Sequence, residues 1–247
     1  MIPKSHPRYE SLMTREKIID GVKRGITSMQ GLIAEGRGEA FDYLMGEKTT
    51  KTALEAEKVA ASLLLLAGRP VISVNGNAAA LVPDELIKLG EAVNAPLEVN
   101  LFHRTEGRVN MIIEHLRSRG ARSIYTKSDA FIPGIEHERA KVDSDGIFNA
   151  DVVLVPLEDG DRCKALADMG KRVIAIDLNP LSRTARTAHI TVVDNVMRAV
   201  PNITGFALDM KLSEKEALQK TVREFDNSEN LARSIDELTA HLRSIRK

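Results

Sequence analysis

The residues with the most chemical reach lie between Arg172 and Asn195, in the run RVIAIDLNPLSRTARTAHITVVDN. A mostly β-branched apolar stretch, Val173–Ile176, breaks into Asp177, Leu178, Asn179 and Pro180. Such a stretch reads as a buried parallel strand. Polar groups at its C-terminal end fall in the crevice where open α/β sheets bind ligands. Ser182, Arg183, Thr184 and Arg186 follow and offer hydroxyls and guanidiniums to an anion. A second short strand, Ile190–Val193, ends in Asp194 and Asn195. Two neighbouring strand ends thus present Asp177, Asn179, Arg183 and Asn195 toward one place. Carboxylate and amide suit a base or a ribose, and arginine suits phosphate. Ordinary turn chemistry also accounts for Asp, Asn, Pro and Ser in such a run, so both readings stand at this point.

Other groups could serve the same crevice. Gly31–Gly38, GLIAEGRG, approaches P-loop spacing, but Arg37 and Gly38 stand where a Lys and a hydroxyl are required. No apolar strand precedes it, so a P-loop is rejected; either the glycine-flanked arginine meets a phosphate closely, or the stretch is a helix break with an exposed arginine. After the strand Val71–Asn75, Gly76 permits a tight turn, and Asn75 and Asn77 supply amides. The turn lacks G-x-G-x-x-G, so the dinucleotide fingerprint is absent. Glu136, His137, Glu138, Arg139 and Lys141 crowd a long loop between strands. Loops of that length are functional or disordered, and His137, Arg139 and Lys141 suit a phosphorylated acid. A metal reading from Glu136 and His137 alone is weak, and a solvated charge run is the plainer alternative. Glu158, Asp159 and Asp161 could hold Mg²⁺ through waters or serve as helix N-terminal acids, the second being favoured for Asp161. Lys4, His6, Arg8 and Arg15 lie at the head of the first helix.

The composition limits the classes. At 247 residues the chain can bury a sizeable core without staples. Hydrophobic residues make up 43% and charged residues 28%, as in a soluble globular protein. A formal net charge of zero gives no electrostatic footprint for nucleic acid, and 4% aromatics without tryptophan give no base-stacking platform. Cys163 is the only cysteine, which excludes a disulfide framework and a Cys-based zinc cluster. The opening MIPKSHPRYE lacks a signal h-region, and the longest apolar run is too short for a membrane span. A cytoplasmic protein that touches neither membrane nor nucleic acid is expected.

These residues need elements to hold them. Helices are predicted over 8–25, with Gly25 at the C-cap, over 27–46 with an interruption at Gly36-Arg37-Gly38, and over about 52–67. Strands are predicted at 71–75, 97–102, 124–125, 151–156, 173–176 and 190–193. Helices from Pro83 to Val93, from Thr105 to about Arg119 and over Arg162–Met169 alternate with them, and 126–150 is left irregular. Alternation of this kind argues for a parallel sheet with helices on both faces. The tail is helical again. Pro201 is expected to kink or restart a helix from Asn195 to about Lys211, Ser213 and Glu216 make a capping box, and 228–246 form a charged amphipathic helix. Leu231, Ile235, Leu238 and Leu242 share a stripe on it, open either to a partner or to its own domain. The expected whole is one α/β domain over 1–247, with a helical segment at 1–68, a Rossmann-like core at 69–194 and C-terminal helices at 195–247.

Taken together, the segments IPKSHPRY (2–9), REKII (15–19), GLIAEGRGEAFDYL (31–44), SVNGNAAALVP (73–83), EVNLFHRTEGRV (98–109), IPGIEHERAKVD (132–143), ADVVLVPLEDGDR (150–162) and IDLNPLSRTAR (176–186) resemble one family. It is the archaeal phosphopantothenate synthetases, or 4-phosphopantoate–β-alanine ligases. The likeness spans most of the chain to about residue 205. It implies a Rossmann-like homodimer of coenzyme A synthesis that uses ATP with Mg²⁺ and joins 4-phosphopantoate to β-alanine, releasing AMP and diphosphate. ATP-binding positions implied by the resemblance are Arg15, Arg37, Asp177, Leu178, Asn179, Arg183, Thr184, Asn195 and Val196. Arg37 and Arg183 are expected to serve the phosphates, and Asp177 and Asn179 the ribose or adenine. Asn75, Asn77, His137 and Arg139 are expected to line the phosphopantoate and β-alanine side, with Arg37, Asn77, His137 and Arg139 as the catalytic set. Metal ligands are left unassigned. A nicotinamide-dependent oxidoreductase and a non-enzymatic adenine-nucleotide sensor are the rival readings.

Overall fold

A computed structural model describes residues 3–245. Ile2 of the first motif and Arg246 of the last predicted helix lie outside the described residues. The chain opens with three helices, α1 (Tyr9–Lys23), α2 (Met29–Met45) and α3 (Lys51–Leu66). The α/β part follows as β1 (Pro70–Val74), α4 (Gly76–Leu81), α5 (Pro83–Val93), β2 (Leu97–Val99), α6 (Glu106–Ser118), β3 (Ile124–Tyr125), β4 (Ala130–Phe131), β5 (Lys141–Val142), β6 (Val152–Pro156), α7 (Gly160–Asp168), β7 (Arg172–Ile176), α8 (Arg183–Thr187) and β8 (Ile190–Val192). Helices α9 (Val196–Asp209), α10 (Lys215–Arg223) and α11 (Asn227–Ser244) close it.

The main sheet has six strands in the order β3-β2-β1-β6-β7-β8, and every pairing in it is parallel. Counting only its own strands, this is the doubly wound 3-2-1-4-5-6 order, which reverses between β1 and β6. Side-chain alternation sorts the core into two layers. Ile72, Val74, Leu154, Ile174 and Ile176 pack on the side of α3, α5, α6 and α9. Val71, Val153, Val155, Val173 and Ala175 pack on the side of α7 and the 132–150 loop. Both faces are covered, which is why these strands are continuously apolar.

Helix ends follow local chemistry. Ser28, Thr50, Asn75, Thr105, Asp159, Ser182, Asn195 and Asp226 each cap a helix by accepting a backbone N–H. Gly25, with φ +70°, takes the left-handed position just after α1.

Four expectations are corrected. Helix α2 runs unbroken through Gly36-Arg37-Gly38, because two glycines spaced two apart cost only about 2 kcal/mol of propensity, and packing on α1 and α11 holds the helix. Helix α9 continues past Pro201 without restarting. Ser213 caps nothing; α10 begins after Glu214, which makes no side-chain cap bond. The loop expected over 126–150 contains a two-stranded antiparallel pair, β4–β5. The apolar stripe of α11 turns inward at Leu231 and Leu238, which pack with Met45, Leu178, Ala185 and Val193.

Candidate active site

A cavity of about 370 Å³ opens where the strand order reverses, the place where such sheets bind ligands. Thr27, Ser28, Gly31, Ala34 and Arg37 form its helical wall, and Asn75, Gly76 and Asn77 follow β1 into it. Leu157, Glu158 and Asp159 arrive from β6, and Phe102, His103, Arg108 and Arg139 close the far side.

Two asparagines build the floor. The Asn75 side-chain oxygen accepts from Ala78 N at 2.9 Å and starts α4. Its Nδ2 donates to the carbonyls of Pro156 and Leu157 at 2.8 and 3.1 Å, joining the ends of β1 and β6. Asn77 is buried; its Nδ2 donates to Gly31 O at 2.9 Å and its Oδ1 accepts from the Thr27 hydroxyl. A side chain at Gly31 would collide with Asn77 Oδ1 and Thr27 Oγ1, so glycine is required for this approach.

The carboxylates at the β6 end are already matched. Arg139, buried, pairs with both Glu158 and Asp159. Arg162, fully buried, pairs with Glu158 and donates to Ser73 Oγ at 3.2 Å. Asp159 also caps α7 by accepting from Arg162 N at 2.9 Å. Asp161 lies in the first turn of α7, as expected, and meets Arg183 at 2.5 Å. Glu158 and Asp159 are therefore counter-ions of arginines rather than a ready Mg²⁺ set. Among the described residues no three His, Cys, Asp or Glu side chains come together to hold a metal. Cys163 is buried, and burial pushes its thiol up to about 12, so it supplies no thiolate nucleophile.

A smaller cavity of about 50 Å³ adjoins the first, sharing Ala34, Asn77 and Leu157 with it. Glu35, Gly38, Leu178, Asn195 and Val196 complete its lining. The ends of β7 and β8 do therefore converge, beside the main cavity. The Asp177 carboxylate accepts from Asn179 N at 2.9 Å and Ser182 Oγ at 2.5 Å. Burial raises its pKa, while Ser182, Asn179 and the charge of Arg37 oppose that rise. Asn195 caps α9 and donates to Asp42 Oδ2 at 2.9 Å.

A family model described as phosphopantothenate/pantothenate synthetase matches residues 52–241. The chain belongs to that family. A 4-phosphopantoate–β-alanine ligase of Methanosarcina mazei is 55% identical over 244 residues, covering 99% of this chain and 96% of the relative. One of Thermococcus kodakarensis is 57% identical over 233 residues, covering 94% and 89%. Another of Methanospirillum hungatei is 54% identical over 222 residues, covering 90% and 91%.

For a phosphopantothenate synthetase family member, the geometry divides the expected residues into groups. Arg37, Asn75, Asn77 and Arg139 line the main cavity, and Leu178, Asn195 and Val196 line the small one. Asp177 and Asn179 shape the turn behind Leu178. Thr184, buried, donates its hydroxyl to Glu158 O at 2.9 Å. Arg183 is exposed, with its stem against Gly160. Arg15 lines neither cavity and instead pairs with Glu39 of α2 at 2.7 Å. His137 accepts from Arg139 N at 3.4 Å, and its ring lies 4.9 Å from that of Phe102; it reaches the cavity only through that ring.

Two charged lining residues escaped the sequence reading. Glu35 is half-buried, and its carboxyl is pushed up to about 7 by burial, with Glu39 and Asp42 adding to the effect. Such a group suits proton exchange near neutral pH. Arg108 is the other. Both lay inside motifs already singled out, GLIAEGRG and FHRTEGRV, where helical spacing from Gly31 or from the Thr105 cap gives the facing positions.

Proposed function

We propose that this chain is an ATP-dependent ligase that condenses 4-phosphopantoate with β-alanine, for coenzyme A synthesis, through an acyl adenylate. The observation that carries the reading is the pair of adjoining cavities at the strand-order reversal in a member of this family. One wall bears Arg37 and the Leu178, Asn195 and Val196 group, suited to a nucleotide. The other bears Asn75, Asn77 and Arg139, suited to a small phosphorylated acid.

The reaction has two steps. A carboxylate is a poor electrophile, so its oxygen first attacks the α-phosphorus of ATP and diphosphate departs. The β-alanine amine then attacks the acyl carbon of the adenylate, loses a proton and expels AMP. Holding the acid and the nucleotide side by side in this crevice supplies the positioning that replaces a bimolecular encounter. Arg37 and Arg183 serve the phosphates as charge develops; Asp177 and Asn179 shape the ribose or adenine end, joined by Leu178, Thr184, Asn195 and Val196. Arg15 supports that end through Glu39 on α2. Asn75 and Asn77 fix the floor, and Arg139 with His137 shapes the acid side. Mg²⁺ would arrive on the triphosphate; no side chain is assigned to it.

The reading extends to a cytoplasmic homodimer. Met29, Ile33, Tyr43 and Leu44 form an exposed apolar strip on α2, the kind of surface a second copy covers. Light scattering at micromolar concentration is expected to give twice the chain mass. No observation favours the nicotinamide or sensor alternatives, and the turn after β1 remains without the dinucleotide fingerprint.

The deciding assay is isotope exchange. With 4-phosphopantoate present and β-alanine omitted, labelled diphosphate is expected to enter ATP, and the full reaction to yield AMP. ADP and orthophosphate as stoichiometric products would replace the adenylate with an acyl phosphate.

A further inference from the structure

We propose that Arg108 anchors the phosphate of the acid substrate and so selects the phosphorylated acid over the unphosphorylated one. The proposal rests on the ligase reading above and goes beyond it, by assigning a residue to the one group that separates 4-phosphopantoate from pantoate.

Arg108 lies in the first turn of α6 and lines the main cavity. Its guanidinium is held by neutral groups only. One Nη donates to His103 O at 2.5 Å and the other to Ile26 O at 3.2 Å, while Nε is buried without a partner. No carboxylate comes within ion-pair distance of it among the described residues. The other arginines of this region each have an ion pair: Arg139 with Glu158 and Asp159, Arg162 with Glu158, and Arg104, which does not line the cavity, with the exposed Glu106 at 3.4 Å, its Nε and Nη1 otherwise unpartnered. Burial alone acts on the Arg108 pKa, and it acts downward.

Arg108 is half-buried, and a cation so placed without a counter-ion is best met by a ligand that supplies one. A phosphate does so best, since a guanidinium fork matches its oxygens. The setting favours that use. A side chain at position 76 would lie 3.1 Å from Arg108 Nη2 and 2.7 Å from Ile26 O, so Gly76 leaves the guanidinium room against the backbone. His103 stands beside it on the far side of the cavity, with Thr27 and Ser28 on the wall opposite. Arg37, the other cavity guanidinium without an ion pair, is on α2 and faces Asp177. The two free positive charges thus sit on different walls, one toward the nucleotide group and one left for a second anion. Arg139, by contrast, already has two carboxylates.

The experiment compares wild type, Arg108→Met and Arg108→Lys in steady state, varying 4-phosphopantoate, pantoate, ATP and β-alanine in turn. Loss of a charge-assisted phosphate contact is expected to raise the KM for 4-phosphopantoate by about tenfold or more in Arg108→Met. Turnover of pantoate and the KM for ATP are expected to stay unchanged, so the preference between the two acids collapses. Inorganic phosphate is expected to compete with 4-phosphopantoate in the wild type and not in Arg108→Met. Arg108→Lys keeps the charge without the fork and is expected to fall between. Equal losses on both acids, or a loss expressed in the KM for ATP, would overturn the assignment. If Arg108→Met does not fold, an unchanged acid preference in Arg108→Lys overturns it as well. A wild type that makes no amide from 4-phosphopantoate removes the ligase reading, and the proposal with it. An active wild type with unchanged variants removes the Arg108 assignment alone.

Discussion

Arg198, in the first turn of α9, grips Asp42 near the end of α2 with two nitrogens, at 2.6 and 3.1 Å. The same guanidinium holds Asp194 at 2.5 Å, and Asp42 also accepts from the Asn195 amide at 2.9 Å. One buried carboxylate therefore ties the end of β8 and the start of α9 to the helix carrying Arg37. Arg198→Met would leave Asp42 and Asp194 buried without their cation. The expected loss is about 3–5 kcal/mol, read as a lowered midpoint in denaturant. A midpoint shift matching an ordinary surface substitution would show that the pair is idle.

Beneath that pair lies Glu57, whose side chain is fully buried beside Asp194 and accepts from Asn202 Nδ2 at 3.0 Å. Burial first, and Asp194 second, push its carboxyl up to about 9. An acid raised in the folded state is held neutral there, so its stability contribution is complete below the unfolded value of about 4.3 and falls as pH rises toward 9. Glutamine mimics the neutral form. Glu57→Gln is expected to gain melting temperature relative to wild type as pH is raised from about 5 to about 8. A difference that does not change with pH would contradict the buried neutral carboxyl.

Asp177 organises its turn through Asn179 N and Ser182 Oγ. Asp177→Ala removes those bonds without opening a cavity in the apolar core, and it should cost about 1–3 kcal/mol. The fold is expected to survive while ATP binding weakens, as measured by calorimetric titration. Full affinity in a folded variant would take Asp177 out of the nucleotide group.

Gly31→Ala places a methyl against Asn77 Oδ1 and Thr27 Oγ1. The floor amide must shift, so activity is expected to drop with little change in global stability. If the effect runs through Asn77, Gly31→Ala added to Asn77→Ala costs little more than Asn77→Ala alone. Additive losses in kcat/KM would point to a separate role for Gly31.

The parallel sheet was legible because the strands are apolar on both faces, and Val152–Pro156 and Arg172–Ile176 follow that rule. That the ends of β7 and β8 lie side by side was legible too, since adjacent parallel strands end together, but of the Asp177, Asn179, Arg183 and Asn195 expected to meet there only Asn195 lines a cavity. The centre of the site was not. The chain order draws attention to β7 and β8, whereas the strand order reverses between β1 and β6, and only the pairing reveals that neighbourhood. Arg139 read as a free cation because Glu158 and Asp159 are about twenty positions away, and their ion pairs exist only after folding. The Gly36-Arg37-Gly38 break failed because local propensity is weak against the packing of a seventeen-residue helix.

That unbroken helix has a mechanical consequence. Gly31 and Arg37 face the larger cavity, Glu35 and Gly38 face the smaller one, and Ala34 lines both. The offset between the two chambers is therefore metered by helical pitch, at about 1.5 Å and 100° for each residue. Glycines that look like a hinge lie within a rigid ruler. One alanine inserted just after Gly31 would swing Ala34, Glu35, Arg37 and Gly38 together by about 100° against the contact that Gly31 makes with Asn77. The chambers would then no longer be commensurate, even with every side chain still present.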